Sequence, residues 1–241
     1  MLDHIKKDDI LFLDIETVPR VADYTQLDSY EQELWFEKKG KQKPEDVGHA
    51  DFYFDNAAIF AEFGKIVCIT AGWYIQDGMF QGFEVKSFAG NDEVKLLKDF
   101  SFFLRQQFAM NRNLQLCGHN IKEFDVPYIC RRLIMNNLKL TDYLESLQTK
   151  KPWEAGLLDT MDMWKFGDYK HFTSLKLLTK VLGIPSSKGD IDGSQVAHVF
   201  YVDKDIDRII TYCEKDVIAV AQVFLRLRRE DLLIEEEILH V

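Results

Sequence analysis

Ile10-Leu11-Phe12-Leu13 is an unbroken apolar run of strand length, and it leads straight into two acids, Asp14 and Glu16, on alternate positions. Apolar residues without alternation read as a strand covered on both faces. Side chains alternate along a strand, so Asp14 and Glu16 leave it on the same face. Two carboxylates held that close repel each other. Any single acid-x-acid after an apolar run is most simply a pair of solvated strand-end acids. The other solution is a divalent cation between them, because magnesium and manganese favour hard oxygen ligands. Pro19 ends the extended segment that follows.

The rest of the chain supplies neighbours for such a strand. Ile66 to Trp73 and Phe83 to Phe88 read as two further strands, joined through Gly78 and Gly82 into a meander. Asn91 or Asp92 caps a helix whose apolar residues Val94, Leu97, Phe100, Leu104 and Phe108 recur at three- and four-residue intervals. Leu114 to Cys117 is a short fourth strand, and a helix follows from about Asp125 through Arg132 to Asn136, with Pro127 tolerated in its first turn. Ser174 to Leu182 forms a compact helix stopped by Gly183 and Pro185. Asp205 to Arg229 forms a long one with Ile209, Cys213, Val217, Val220 and Phe224 along one side. Strands early and helices late predict an α/β domain over residues 1–241. The segment from Arg20 to Phe63 departs from this pattern, with Trp35, Phe36, Phe52, Tyr53 and Phe54 around the basic stretch Lys38-Lys39-Gly40-Lys41-Gln42-Lys43. It reads as an insertion at about 20–63, helical in part.

Composition narrows the classes of function. The 46% hydrophobic and 13% aromatic content, with no low-complexity tract, predicts a folded domain rather than a disordered chain. Met1 to Asp9 has neither the pattern of a leader nor that of a membrane span, and the apolar runs are of strand length, so a cytoplasmic location is expected. Cys68, Cys117, Cys130 and Cys213 lack C-x-x-C spacing and lie in apolar stretches, which reads as inert buried thiols rather than disulfides or a zinc cluster. The formal net charge of −10 argues against a protein that coats nucleic acid by counterion release. It does not argue against an enzyme that gathers acids around metal ions, because the bound cations reverse the local sign of charge.

Two more stretches carry candidate chemistry. Tyr212 and Asp216 lie one helical turn apart on one face, so a phenol and a carboxylate can converge, although a surface pair has the same spacing. Asp125 stands at a helix start, where an acid is often no more than a cap. Other motifs fail when tested. Asp190-Ile191-Asp192-Gly193 hints at a calcium loop, but the first and twelfth positions would be Lys188 and Val199. Gly64-Lys65 lacks the rest of a phosphate loop, and H-E-x-x-H and G-x-S-x-G do not occur.

Taken together, Phe12-Leu13-Asp14-Ile15-Glu16-Thr17, His119-Asn120-Ile121-Lys122-Glu123-Phe124-Asp125-Val126-Pro127-Tyr128-Ile129 and Tyr212-Cys213-Glu214-Lys215-Asp216 resemble, in this order, the three exonuclease motifs of DEDD nucleases. The resemblance extends over nearly the whole chain. It is strongest toward the proofreading exonuclease domain of family-B DNA polymerases and the stand-alone bacterial exonucleases related to it. It implies a ribonuclease H-like fold, with a mixed central sheet of about five strands flanked by helices. It also implies 3′-to-5′ removal of nucleoside monophosphates from single-stranded nucleic acid, DNA ahead of RNA. Two divalent ions, Mg2+ or Mn2+, would clamp the attacking and leaving oxygens. By the same resemblance Asp14, Glu16 and Asp216 would hold one ion, Asp14 would bridge to a second served by Asp125, and Tyr212 would orient the attacking water. The tyrosine subtype is implied because the histidine of the other subtype would fall at Thr211. Asn120, Phe124 and the backbone at Thr17 would hold the terminal nucleotide, with core burial equally open for Phe124. Asp159 and Asp162 are competing acids read as structural, and Lys176 is read as solvated rather than phosphate-bound. An RNA-trimming exoribonuclease and a non-catalytic nucleic-acid binder on the same scaffold stand as the alternatives.

Overall fold

The computed structural model describes residue 2 and residues 4–77, 80–150, 156–168, 170–185 and 191–241. Its strands are β1 (Ile10–Pro19), β2 (Gly64–Asp77), β3 (Phe80–Ala89), β4 (Gln115–Gly118), β5 (Leu157–Asp159) and β6 (Ile238–His240). They form one sheet in the order β5-β4-β1-β2-β3-β6. β1 is antiparallel to β2 and parallel to β4; β2 and β3 are antiparallel, while β6 joins β3 and β5 joins β4 in parallel. The helices are α1 (Ser29–Lys38), α2 (His49–Asn56), α3 (Glu93–Met110), α4 (Asp125–Met135), α5 (Asp142–Ser146), α6 (Thr160–Lys165), α7 (Leu175–Val181), α8 (Val196–His198) and α9 (Ile206–Arg228). The α/β class and the mixed central sheet are as expected. Among the described residues no helix is long and apolar enough to cross a membrane.

β1 lies inside the sheet, and its unbroken apolar run is covered on both faces. Leu11, Leu13 and Ile15 meet Leu97, Phe100 and Leu104 of α3 and Val126, Ile129 and Leu133 of α4. On the opposite face Ile10 and Phe12 meet Val217, Val220, Ala221 and Phe224 of α9. The Phe12 ring lies edge-on to Tyr74, Phe83 and Phe224, with centroids 5.6, 5.7 and 5.9 Å away. Aromatic pairs favour such edge contacts. A buried ion pair fastens the α3 side: Arg132 donates to both Glu93 oxygens, at 2.8 and 2.5 Å, and to the Ala61 carbonyl at 2.8 Å, while Glu93 Oε1 also accepts the Ile66 amide at 2.8 Å.

The helix boundaries follow from caps legible in the chain. Asp92, Ser174 and Asp205 accept backbone amides at the starts of α3, α7 and α9. The meander differs in its connection. Gly82 is not a turn residue but sits within β3 opposite Ile75, and Gly78 lies outside the described residues. β5 and β6, three residues each, were not expected, because runs so short carry no readable alternation. The segment at 20–63 is helical in part, as expected, and has a small core of Leu27, Trp35, Phe52, Tyr53, Ala57 and Phe63. Its lysines are partly used at home. Lys43 donates to the Pro44 and Val47 carbonyls, Lys39 donates to Gln42, and Lys38 lies over the Phe60 ring, while Lys41 is exposed.

Candidate active site

The face of β1 that carries Ile10 and Phe12 also carries Asp14 and Glu16, and beyond them Val18 joins a third apolar cluster with Cys68, Ile209 and Cys213. The two acids therefore interrupt a buried apolar stripe in its middle. Glu16 is 7% exposed, so the simple account of solvated strand-end acids is wrong here. α9 lies across this face and brings its own polar pair. Tyr212 donates its hydroxyl to the Asp216 carboxylate one turn later, and both side chains are half-buried rather than on the open surface.

Asp125 arrives from the other layer. β4 pairs with β1 only from Ile10 to Phe12, so among the described residues the far part of that β1 edge has no strand beside it. The Asp125 carboxylate takes the open position and accepts the Ile15 amide at 3.2 Å. It is 3% exposed, and the capping position of α4 is held by Phe124, so Asp125 is more than a helix cap. The turn leading there needs Gly118, because a Cβ would stand 2.7 Å from Ile121 Cβ and 3.0 Å from the Leu13 carbonyl.

The remaining expected residues surround these acids. Asn120 adopts a left-handed backbone (φ 68°), its amide donates to Asp159 at 3.0 Å, and its side-chain oxygen is buried with no hydrogen-bond partner. Thr17 follows a bulge after Glu16 and donates its hydroxyl to the Ala58 carbonyl at 3.0 Å, as Tyr128 does at 2.8 Å. The 20–63 segment thus touches the site edge through Ala58. Phe124 is half-buried against Tyr128, with ring centroids 5.4 Å apart. Asp159 accepts the amides of Asn120, Lys122 and Met161, and Asp162 pairs with Lys122 and Lys165, so both acids hold up the loop rather than join the cluster. Lys176 is exposed, as expected.

Burial and mutual repulsion set the protonation of the cluster. Asp14 is held well above the usual carboxylate range, first by burial and then by the charges of Asp125 and Asp216. Glu16 is raised the same way by burial, then Asp14 and Asp216. Burial pushes Asp125 up to about 7, against the opposing hydrogen bond from Ile15, and Asp216 up to about 6, against that from Tyr212. Burial, then Asp216 and Glu16, drive Tyr212 far above the ordinary phenol value, so it stays protonated. Among the described residues no lysine or arginine pairs with any of the four acids. Oxygen donors gathered without a protein cation suit a hard divalent ion.

Cys213 was expected to be inert core. It is buried, but its Sγ lies 3.3 Å from Asp14 Oδ2, and one ligating atom each of Asp14, Glu16 and Cys213 fall within 4.8 Å of one another. Sequence periodicity assigned Cys213 to the apolar side of α9 correctly. Only the acids interrupting the β1 stripe could have told that this side meets carboxylates.

In the family B DNA polymerase from the hyperthermophilic archaeon Pyrobaculum calidifontis, a region superimposes on 91% of this chain with a TM-score of 0.52 at 14% sequence identity. The present chain spans 24% of that polymerase. The likeness establishes the ribonuclease H-like fold, a mixed sheet between helices. A search of curated protein sequences returned no match. A family model described as "predicted 3′-5′ exonuclease related to the exonuclease domain of PolB" matches residues 59–238, which include Asn120, Asp125, Tyr212 and Asp216 and begin after Asp14 and Glu16. The match takes in well over half of the chain, which therefore belongs to this family of predicted 3′-5′ exonucleases related to the polymerase exonuclease domain.

Proposed function

We propose that the protein is a DEDD nuclease of the tyrosine subtype that removes nucleoside monophosphates from the 3′ end of single-stranded nucleic acid, DNA ahead of RNA. One observation carries the reading: carboxylates from three separate segments, Asp14 and Glu16, Asp125, and Asp216, share one water-poor place with no cation among the described residues to balance them. Asp14, Glu16, Asp216 and Asp125 would hold two Mg2+ or Mn2+ ions, which when bound supply charge neutralisation and Lewis acidity for an in-line displacement at phosphorus. The chain's own work is then positional. Tyr212 remains a phenol, so it serves as a hydrogen-bond partner that orients water rather than as a base. The side-chain oxygen of Asn120, buried and without a hydrogen-bond partner, is the acceptor assigned to the terminal nucleotide, with the Thr17 backbone and the Phe124 ring as further contacts. The 20–63 segment, fastened to Thr17 through Ala58, borders the path of the strand.

The test is digestion of 5′-labelled single-stranded DNA and RNA of matched sequence with Mg2+, with Mn2+ and with EDTA. Stepwise shortening from the 3′ end is expected with metal and not with EDTA. Changing Asp14, Glu16 or Asp216 to Ala should lower the rate by several orders of magnitude with the fold intact. Equal digestion by wild type and Asp14→Ala would remove the assignment, and preferential digestion of RNA would replace the substrate.

A further inference from the structure

Between α6 and α7 two phenylalanines face solvent. Phe166 ends α6 in the left-handed region (φ 47°, ψ 36°), where a Cβ is crowded and glycine or asparagine is usual. Its residue is 66% exposed, as is Phe172, and Lys165 Nζ stands 4.5 Å from the centre of the Phe172 ring. A strained bulky residue left about two-thirds exposed points to a role outside folding stability. Leu177 and Val181, one turn apart on α7, continue the apolar exposure.

This surface is fastened to the candidate active site. His119, the neighbour of Asn120, bonds the Thr173 carbonyl at 2.8 Å through Nε2 and Thr160 Oγ1 at 3.0 Å through Nδ1. Thr160 opens α6 and Thr173 stands just ahead of α7, so both flanks of the aromatic patch are held beside the residue next to Asn120. The charge here also runs against the rest of the molecule. Residues 165–181 carry four lysines, Lys165, Lys170, Lys176 and Lys180, and one acid, Asp168, in a chain of net charge −10.

We propose that this surface binds the single strand upstream of its 3′-terminal nucleotide, with Phe166 and Phe172 stacking on bases and the exposed Lys170, Lys176 and Lys180 meeting phosphates. The proposal rests on the exonuclease reading and adds the route by which the strand arrives. Exposed rings interleaved with lysines suit a flexible anionic ligand whose every base offers a flat apolar face. A second copy of this chain would bring the same lysines against these.

The test pairs Phe166→Gly with Phe172→Ala; glycine also relieves the left-handed backbone, so the melting temperature should hold or rise. Binding of fluorescein-labelled thymidine dodecamer and dinucleotide to the metal-free protein in EDTA is read by anisotropy, and hydrolysis of p-nitrophenyl thymidine 5′-monophosphate is read with Mn2+. The expected result is dodecamer binding weakened by roughly tenfold or more per ring lost, with dinucleotide binding and ester hydrolysis unchanged. Separately, Lys170→Gln with Lys176→Gln should flatten the salt dependence of dodecamer binding. Unchanged dodecamer affinity, or equal losses for both lengths, overturns the proposal, and a changed oligomeric state in light scattering assigns the surface to a second copy instead. If the variant loses dodecamer binding while the wild type cleaves nothing, the binding surface stands and the catalytic reading falls.

Discussion

Asp125→Asn should make the metal-free protein more stable while abolishing its activity. Burial moves the Asp125 carboxyl from 3.8 to about 7. Each tenfold change in proton affinity is worth about 1.36 kcal/mol, so the ionised form costs the metal-free fold about 4 kcal/mol. The sign follows from the raised value. Below pH 3.8 the group is protonated in folded and unfolded chains alike and costs nothing; stability falls as pH rises toward 7, then stays level. Asparagine has the same shape, keeps an acceptor for the Ile15 amide, and removes the charge that also raises Asp14. At pH 8 in EDTA the variant should therefore unfold about 10 °C higher than wild type, taking roughly 2–4 °C per kcal/mol for a chain of this size. Near pH 4 the two should coincide. Adding Mn2+ should raise the wild type more than the variant, because the ion neutralises the repulsion the substitution has already removed. Thermal unfolding followed by circular dichroism at both pH values, with and without Mn2+, measures all of this. A variant less stable than wild type at pH 8 in EDTA, or a gap that does not change with pH, would refute the idea that the cluster stores uncompensated charge.

Tyr212→Phe removes one hydrogen bond and keeps the ring, so turnover should fall roughly ten- to a thousandfold while Mn2+ affinity by calorimetry hardly changes; full activity would deny the tyrosine its role. Glu93→Ala leaves Arg132 buried without its partner and should destabilise the fold by about 3–5 kcal/mol in urea unfolding, with metal affinity of the folded protein intact. Replacing Lys38, Lys39, Lys41 and Lys43 with Gln should raise the apparent KM and flatten its salt dependence at nearly constant kcat, with a small loss of stability from the carbonyl contacts of Lys43. Unaltered kinetics across a salt series would leave the segment a purely structural part.

The chain alone was enough to read a strand buried on both faces at Ile10-Leu11-Phe12-Leu13, the long helix carrying Tyr212 and Asp216, and the helix starts at Asn91 or Asp92, Ser174 and Asp205. Each is a local pattern, set by side-chain period or by a backbone amide a few residues away. It was also enough to nominate Asp14, Glu16, Asp125 and Asp216, because their motifs are contiguous. It could not tell solvated strand-end acids from buried ones, since that depends on α9 covering the Asp14 face, from a helix about 200 residues later. Nor could it separate a helix-capping Asp125 from one that completes β1, because the open edge exists only where the pairing of β4 with β1 ends, at Cys117 opposite Phe12. β5 and β6 were invisible for the same reason: three residues acquire strand character only from the neighbour they pair with. Residue types and their local spacing lie in the sequence, while burial, and with it the proton affinity of each carboxylate, is a property of what the fold places on top of them.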